Sequence, residues 1–586
     1  MDFIKSLKFC FVFFKFISFF VKNYITIMQK TYKPFGNTLF LAVLGTLSLL
    51  ISACGGGKKA PEHTKLIPQD AAFVVRLDVK QLTGKTISLD KLASKENLKE
   101  MGASEKEAEK ASQGVKKFLD SGIDFLNKVY VFSNTENASK RNAEVGVVFA
   151  IDNEDKLTKF VKDDATWKEM KDVKKPEFKE EGKIKFAVFE KDAVLAWQGK
   201  VGVFYTKKGV STADVKKLFE LKDNETLIGS NESFKEAAGQ SYDATVWFNI
   251  EKLSASNAQA AMVMGVTGVN NKGTAFALGF TFEKGKILVN ADYTGNEEIN
   301  KLNDKIANES VKGGVLKNIP IDKTSAGFSF SLNLEGLFGY LKEKGLLGEV
   351  EGSLKELGLT ADDITKAISG DVFGVVGKVN FDGKSNDVPE FVISIGLKDK
   401  KAFEKVLDAV NSKQRGALSK KDNVYEIAGG MGFLVVKDDA AYITMNAGIK
   451  EGINKGDSKL KGELKEQATK NASVVYADKN LSDAWVSSKA YKETSFGKVF
   501  GDKFPFEGGI AKIGKMKNKR AKTEIEISMR DKGQNSLLVL IEMGKKMSEV
   551  EKLEREKYER DFNENYEEEV KYDTTRVIDT NSLKGE

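Results

Sequence analysis

Hydrophobic residues alternate with polar ones in short runs along this chain, and the runs occur in the same order twice. From Ile67, IPQDAAFVVRLDVKQL places Phe73, Val75, Leu77 and Val79 at every second position, the period of a half-buried β-strand. From Ile319, IPIDKTSAGFSFSLNLEGL does the same with Phe328, Phe330, Leu332 and Leu334. GIDFLNKVYVF from Gly122 then answers GLTADDITKAISGDVFGVV from Gly358. EVGVVFAIDNEDKLTKFV from Glu144 answers EFVISIGLKDKKAFEKVL from Glu390, each a strand running into a helix. AVLAWQGKVGVFYT from Ala193 parallels GFLVVKDDAAYITM from Gly432, each two strands about a turn. DATVWFNIEKLS from Asp243 parallels NASVVYADKNLS from Asn471, each a strand followed by a helix start. Common order makes chance similarity a poor explanation, so the expectation is one unit of about 250 residues used twice.

DAAFVVRLD at Asp70 and DATVWFNIE at Asp243 share an Asp-Ala start, which leaves open a finer duplication inside each half. FALGFTFEKGKILVNADY from Phe276 predicts a hairpin around Lys284 and Gly285, with GGIAKIGKMKNKRAKTEIEISM as its counterpart. Lys- and Glu-rich stretches such as ASKENLKEMGASEKEAEKASQGVKKFLDSG and YLKEKGLLGEVEGSLKEL read as helices ended by Gly. The fold class that follows is α+β, two tandem related halves, each a mainly antiparallel sheet with packed helices. The halves are placed at 66–300 and 317–547, meeting near residues 300 to 317, with a charged tail over 548–586. In that tail Glu549 to Val570 carries ten acidic and four basic side chains, a solvated segment in which Tyr558, Phe562 and Tyr566 would share one side of a helix.

The N-terminal pattern differs from all of this. An apolar run from Leu39 to Ile51, headed by Lys30 and Lys33, ends in the small residues Ser52 and Ala53 and then Cys54, the layout of a cleaved export signal over 28–53. It resembles a bacterial lipoprotein signal, which implies that the Cys54 thiol carries a diacylglyceryl group and anchors the protein to a membrane. Two or three acyl chains at about 0.8 kcal/mol per buried methylene hold far more firmly than one. Thirteen apolar residues fall short of the roughly 20 needed to cross a bilayer. Residues 1–27 are read as upstream sequence in frame, with Met28 as the start, and residues 54–65 as a polar linker in which His63 is solvated.

The chain of 586 residues has a formal charge of +7, but residues 1–53 hold six Lys and one Asp, and beyond them 86 basic side chains face 84 acidic ones. That balance, with only eight Arg in the whole chain, argues against a nucleic-acid partner. No cysteine follows Cys54 and His63 is the only histidine, so disulfides, thiolate zinc sites and Cys- or His-dependent nucleophiles are excluded from the folded part. No cofactor is expected.

Remaining motifs are weak. LTGKT at Leu82 lacks the first Gly of a phosphate loop, and Gly84 is read as the turn after a strand. Ser88, Ser458 and Ser495 each precede a Lys by three residues, without the SDN or KTG elements of penicillin-recognising enzymes. Asp382 and Asp387 lie in an Asp-Gly turn whose spacing departs from a calcium loop. Lys512, Lys515, Lys517, Lys519, Arg520 and Lys522 put six cations in eleven residues, a candidate anion-binding face for lipid headgroups or an acidic glycan; the bland alternative is a charged edge that protects a sheet.

The leader followed by LIPQDAAFVVRLDVKQL, then GID at Gly122, then the second IP-initiated half, resembles a Bacteroidetes-type lipoprotein family, domain of unknown function 4836, over Leu66 to Met547. The resemblance implies a location and an architecture and carries over no site residue. GGGKKAPE after Cys54 lacks the acidic start of surface-export signals and an Asp at Gly55, so the expectation is the outer membrane, facing the periplasm. Duplication without a catalytic constellation points to a non-enzymatic binding or scaffolding protein whose partner is an envelope protein or glycan. The alternatives are a hydrolase using carboxylate or Ser/Lys chemistry, and a spacer with no ligand.

Overall fold

The computed structural model describes residues 60–85, 94–100, 119–134, 144–169, 174–189, 192–256, 270–381, 388–413, 418–427 and 432–544, with scattered positions in 105–112 and 546–556. The leader, Cys54, Ser88, the Asp382 and Asp387 loop and most of the tail lie outside them.

Mixed α and β structure is built on one large antiparallel sheet. Its first run of strands is β1 (Phe73–Asp78), β2 (Ile123–Asp124), β3 (Lys128–Ser133), β4 (Val145–Ile151), β5 (Glu177–Glu181), β6 (Ile184–Phe189), β7 (Ala193–Gln198) and β8 (Val201–Thr206). β9 (Ala244–Asn249), β10 (Ala275–Glu283) and β11 (Lys286–Thr294) complete it. The second run is β12 (Ala326–Ser331), β13 (Ile368–Val376), β14 (Phe391–Leu397), β15 (Leu418–Lys421), β16 (Val424–Ile427), β17 (Gly432–Val436) and β18 (Ala440–Thr444). It ends with β19 (Ser473–Ala477), β20 (Phe506–Ile513) and β21 (Arg520–Met529).

In the first run the neighbours are ordered β5-β6-β7-β8-β4-β3-β1-β9-β10-β11, with β2 adding two residues beside β4. The second is ordered β15-β16-β17-β18-β14-β13-β12-β19-β20-β21. β11 pairs with β21 and joins the two. Among the described residues β5 and β15 pair on one side only, so these pairings form an open ribbon.

Local chemistry explains the helices between strands. Asn153, Asn231, Asn296, Asn333 and Asn446 each accept a hydrogen bond from the amide three residues on, satisfying a donor the first helical turn leaves free. On one face of the sheet Phe132, Val194, Tyr205 and Trp247 form a core in the first run, and Phe373, Val435, Tyr442 and Val474 form one in the second. The opposite face carries further apolar clusters, among them Leu157, Leu195 and Trp197 in the first run and Phe403, Leu434 and Ala441 in the second.

Three expectations need correction. The polar linker ends early, because Glu62–Leu66 form a 3-10 turn in which His63 is only 2% exposed. His63 Nε2 donates to the Lys128 carbonyl at 2.7 Å, the ring packs edge-on against Tyr130, and burial lowers its pKa to about 4. Gly84 lies within the Val79–Lys85 helix, not in a turn. Where the two runs follow one another, the Glu297–Ile306 helix buries Ile299, Leu302 and Ile306, and Val311, Val315 and Leu316 after it are buried too. A helix over 536–544 packs its Val539 and Leu540 under β11.

The third correction concerns register. Phe73 lies opposite Phe248, while Phe328 lies opposite Val475. Matching Phe73 to Phe328 therefore matches Trp247 to Val474, and both are buried. Laying DATVWFNIE directly on NASVVYADK sets Trp247 on Val475 instead, which is 51% exposed. A one-residue slip moves a strand side chain to the other face, so burial decides between the two alignments.

Candidate binding site at the sheet seam

The last strands of the two runs make the seam. β11 and β21 pair over nine residues, from Lys286 opposite Ser528 to Thr294 opposite Arg520. Alternation along each strand separates two faces. Ile287, Val289, Ala291 and Tyr293 are buried on one. On the other lie Asn290, Asp292 and Thr294 of β11 beside Arg520, Lys522, Glu524, Glu526 and Ser528 of β21.

That polar face is the floor of a trough. One wall is the Glu232–Gly239 helix with the Tyr242 ring, which lies so close over Gly279 of β10 that a Cβ there would sit 2.1 Å from the ring. The other is the Glu463–Ala468 helix, whose Leu464 packs beside Gly327 of β12. The first helix leans over β9 and β10, whereas the second sits over β19 and β12. Space is therefore left on the second side, a groove of about 300 Å³ lined by Glu463, Tyr476, Asp478, Lys479, Gly508–Ile510, Glu526 and Ser528.

Arg76 positions the first wall, and nothing in the sequence reading singled it out. It is 2% exposed and donates from Nη1 to the carbonyls of Ala237, Ala238 and Gln240 at 3.2, 3.0 and 2.7 Å, and from Nη2 to that of Tyr242 at 2.9 Å. A cation at a helix C-terminus satisfies carbonyls that have no partner in the helix and meets the negative end of its dipole. The available signal was a charged residue at a core-facing position of FVVRLD. Asp243 acts next to it: its carboxylate, fully shielded from solvent, accepts from Phe282 N at 2.6 Å and pairs with Lys85 at 2.6 Å.

Electrostatics along the floor are mostly internal. Arg520 pairs with Glu236, Lys512 with Glu524 at 3.2 Å, Lys286 with Glu526 at 3.2 Å, and Lys532 with Glu507. Burial raises the Asp292 carboxyl to about 6, with Lys522 opposing the rise. Asp478 is also raised by burial, although it caps the Lys479–Ser487 helix by accepting from the Asn480 and Leu481 amides. Tyr476 is raised by burial and by the neighbouring Asp478 and Glu463.

The predicted cationic face is thus dispersed. Lys512 ends β20, Arg520 and Lys522 lie on β21, and the residues between form a hairpin turn in which Asn518 and Lys519 take positive φ of 53° and 63°. Both central residues at positive φ is the turn that suits the twist of a hairpin. The turn docks on the Glu297–Ile306 helix, since Met516 N donates to Asn303 Oδ1 at 3.2 Å and Lys519 N to Asn300 Oδ1 at 2.8 Å. Lys519 also pairs with Glu297 at 2.9 Å, which lowers that carboxyl, and Lys517 with Glu309 at 3.5 Å. Four of the six cations therefore have carboxylate partners, the arrangement of a clasp rather than a cup for an anion. Of the other motifs, Ser458 Oγ accepts from Asn318 N and Ser495 is buried in a helix. Among the described residues no group of three or more His, Cys, Asp or Glu stands ready for a metal ion, and no helix is long and apolar enough to cross a membrane.

No curated protein matches this chain. Among solved structures, TP0453 in crystal form IV is similar over 41% of this chain and 81% of that one, at 9% identity and a TM-score of 0.24. TP0453 in crystal form III is similar over 45% and 91%, at 10% identity and a TM-score of 0.23. TM-scores this low establish no shared fold. A family profile matches residues 63–476, well over half of the sequence, and the chain belongs to that family, Domain of unknown function (DUF4836).

Proposed function

We propose that this protein is an envelope lipoprotein, anchored in the outer membrane through Cys54 and facing the periplasm, whose seam trough binds an extended protein segment or glycan without catalysing a reaction. The observation that carries the reading is the trough itself: a groove of about 300 Å³ beside a polar floor on which Arg520, Glu524 and Glu526 are already held in pairs. Such a floor offers many weak polar contacts to a long ligand, whereas a hydrolase needs a small number of carboxylates poised around one bond. The two strand runs are read as two copies of one unit, supported by their common pairing order and by the matching core positions of Phe132 with Phe373 and Tyr205 with Tyr442.

The runner-up, a hydrolase, draws on Asp292, whose raised pKa suits a general acid. Its Oδ1, however, is sealed from solvent and has no hydrogen-bond partner, so it does not present itself to a substrate in the trough. A photo-crosslinking residue at Glu524, compared with one at Lys421 on the sheet's far edge, tests the binding reading. Capture of one partner from the first position only, lost on Lys522→Glu with Glu526→Lys, is expected; equal capture from both overturns it. For the location, proteolysis of the second strand run should require permeabilised cells, and digestion on intact cells places the protein on the surface instead.

A further inference from the structure

We propose that the lipid anchor holds the folded body on a short leash, so that the end of the sheet around Glu62–Leu66 lies against the bilayer and the trough is carried at a fixed side of it. The inference rests on the lipidation of Cys54 proposed above. Its structural basis is how soon the chain becomes core after that cysteine. Ala60 packs against the first-run core, His63, Thr64 and Leu66 are buried, and Ile67 is fully enclosed. Backbone hydrogen bonds lock the segment down: Gln69 N donates to Glu225 O at 2.8 Å and Leu227 N to Ile67 O at 2.8 Å. His63, through the Lys128 carbonyl, ties it to β3 as well.

Only residues 55–59 therefore separate the acylated cysteine from packed structure. At about 3.6 Å per residue the path from Cys54 to Ala60 cannot exceed roughly 22 Å, less than the thickness of a bilayer core at about 30 Å. A body much wider than its leash cannot turn a distant face to the membrane, and the surface that meets lipid is the one beside the leash. That surface comprises the 3-10 turn and the neighbouring Thr212–Phe219 and Leu227–Ser230 helices. Its charges are mixed and internally paired, Lys65 with Asp223 and Lys216 with Glu181. Attraction to anionic lipid is thus not what orients it, and the orientation should survive salt and neutral headgroups.

The mature chain has no cysteine other than Cys54, so single probes can be placed cleanly at Lys200→Cys, next to Val201 at the Lys128 end of the strands, and at Lys421→Cys in the full lipidated protein. On phosphatidylcholine vesicles carrying a headgroup quencher, the probe at 200 is expected to lose its fluorescence and the probe at 421 to keep it, at low and high salt alike. Twenty Gly/Ser residues inserted after Gly57 should abolish the difference. Equal quenching at both positions in acylated protein, or quenching that vanishes with salt, overturns the leash. Absence of the acyl mass on Cys54 instead overturns the lipoprotein reading, so the two failures are distinguishable.

Discussion

The same two strands, β11 and β21, present an apolar face and a polar face, and the contrast shows how one ladder serves two purposes. Ile287, Val289, Ala291 and Tyr293 lie buried on one face, the first two under the helix over 536–544 and Tyr293 beside the Glu297–Ile306 helix. Asp292, Lys522 and Glu524 stand on the other, Asp292 half-buried and Glu524 exposed. Apolar burial at about 25 cal/mol per Å² closes the join between the strand runs, which frees the opposite face to carry charges that add little stability.

The largest test of that contrast is to charge the closed face. Val289→Asp should cost about 4 kcal/mol or more by burying an unpaired carboxylate, while Glu524→Gln on the open face should stay within about 0.5 kcal/mol, both read from urea unfolding. Comparable losses at the two positions would mean the faces are not energetically distinct. Next comes the wall. Arg76→Met leaves four carbonyls without their donor and should cost about 3–5 kcal/mol, with Arg76→Lys recovering only part because an ammonium cannot reach all four.

Acid sharpens the comparison through two groups of opposite sign. His63 is held neutral, with a folded pKa of about 4 below the usual 6.5, so its contribution is present above pH 6.5 and lost as pH falls toward 4. Asp292 is raised from 3.8 to about 6, so its contribution is present below pH 3.8 and lost as pH rises through 6. Each is worth about 3 kcal/mol at full extent, and they partly cancel between pH 6.5 and 4. Asp292→Asn should therefore stabilise the protein at pH 7 and steepen its loss in acid, as measured by denaturation at pH 7, 6 and 5. A pH profile unchanged by the substitution would refute the assignment to Asp292. The smallest effect is expected at the hairpin clasp: Lys519→Gln removes an exposed pair and should change stability by less than about 1 kcal/mol.

Much of the fold was legible because alternation survives where a strand has one buried face. β1, β4, β7, β8, β10 and β11 all read directly from such runs. β5 and β15 did not, because EFKEE and LSKK are edge strands whose exposed charges guard against pairing with other chains and erase the pattern. Of the candidate site, the six cations were visible as a run, but their carboxylate partners Glu236, Glu297 and Glu309 lie hundreds of positions away. Arg76 was invisible as a capping residue for the same reason, since its acceptors follow it by more than 160 positions.

By itself the sequence determined the α+β class, the repeated order of strands and the lack of any cysteine after Cys54, since these depend on local periodicity and on which side chains are present. Only the tertiary structure decided that β11 meets β21, that His63 is core rather than linker, and that the charges of the last hairpin are spent on a clasp. Each of those is a contact between residues far apart in the chain, and no local pattern records which of many equally apolar or charged partners a side chain will find when the sheet assembles.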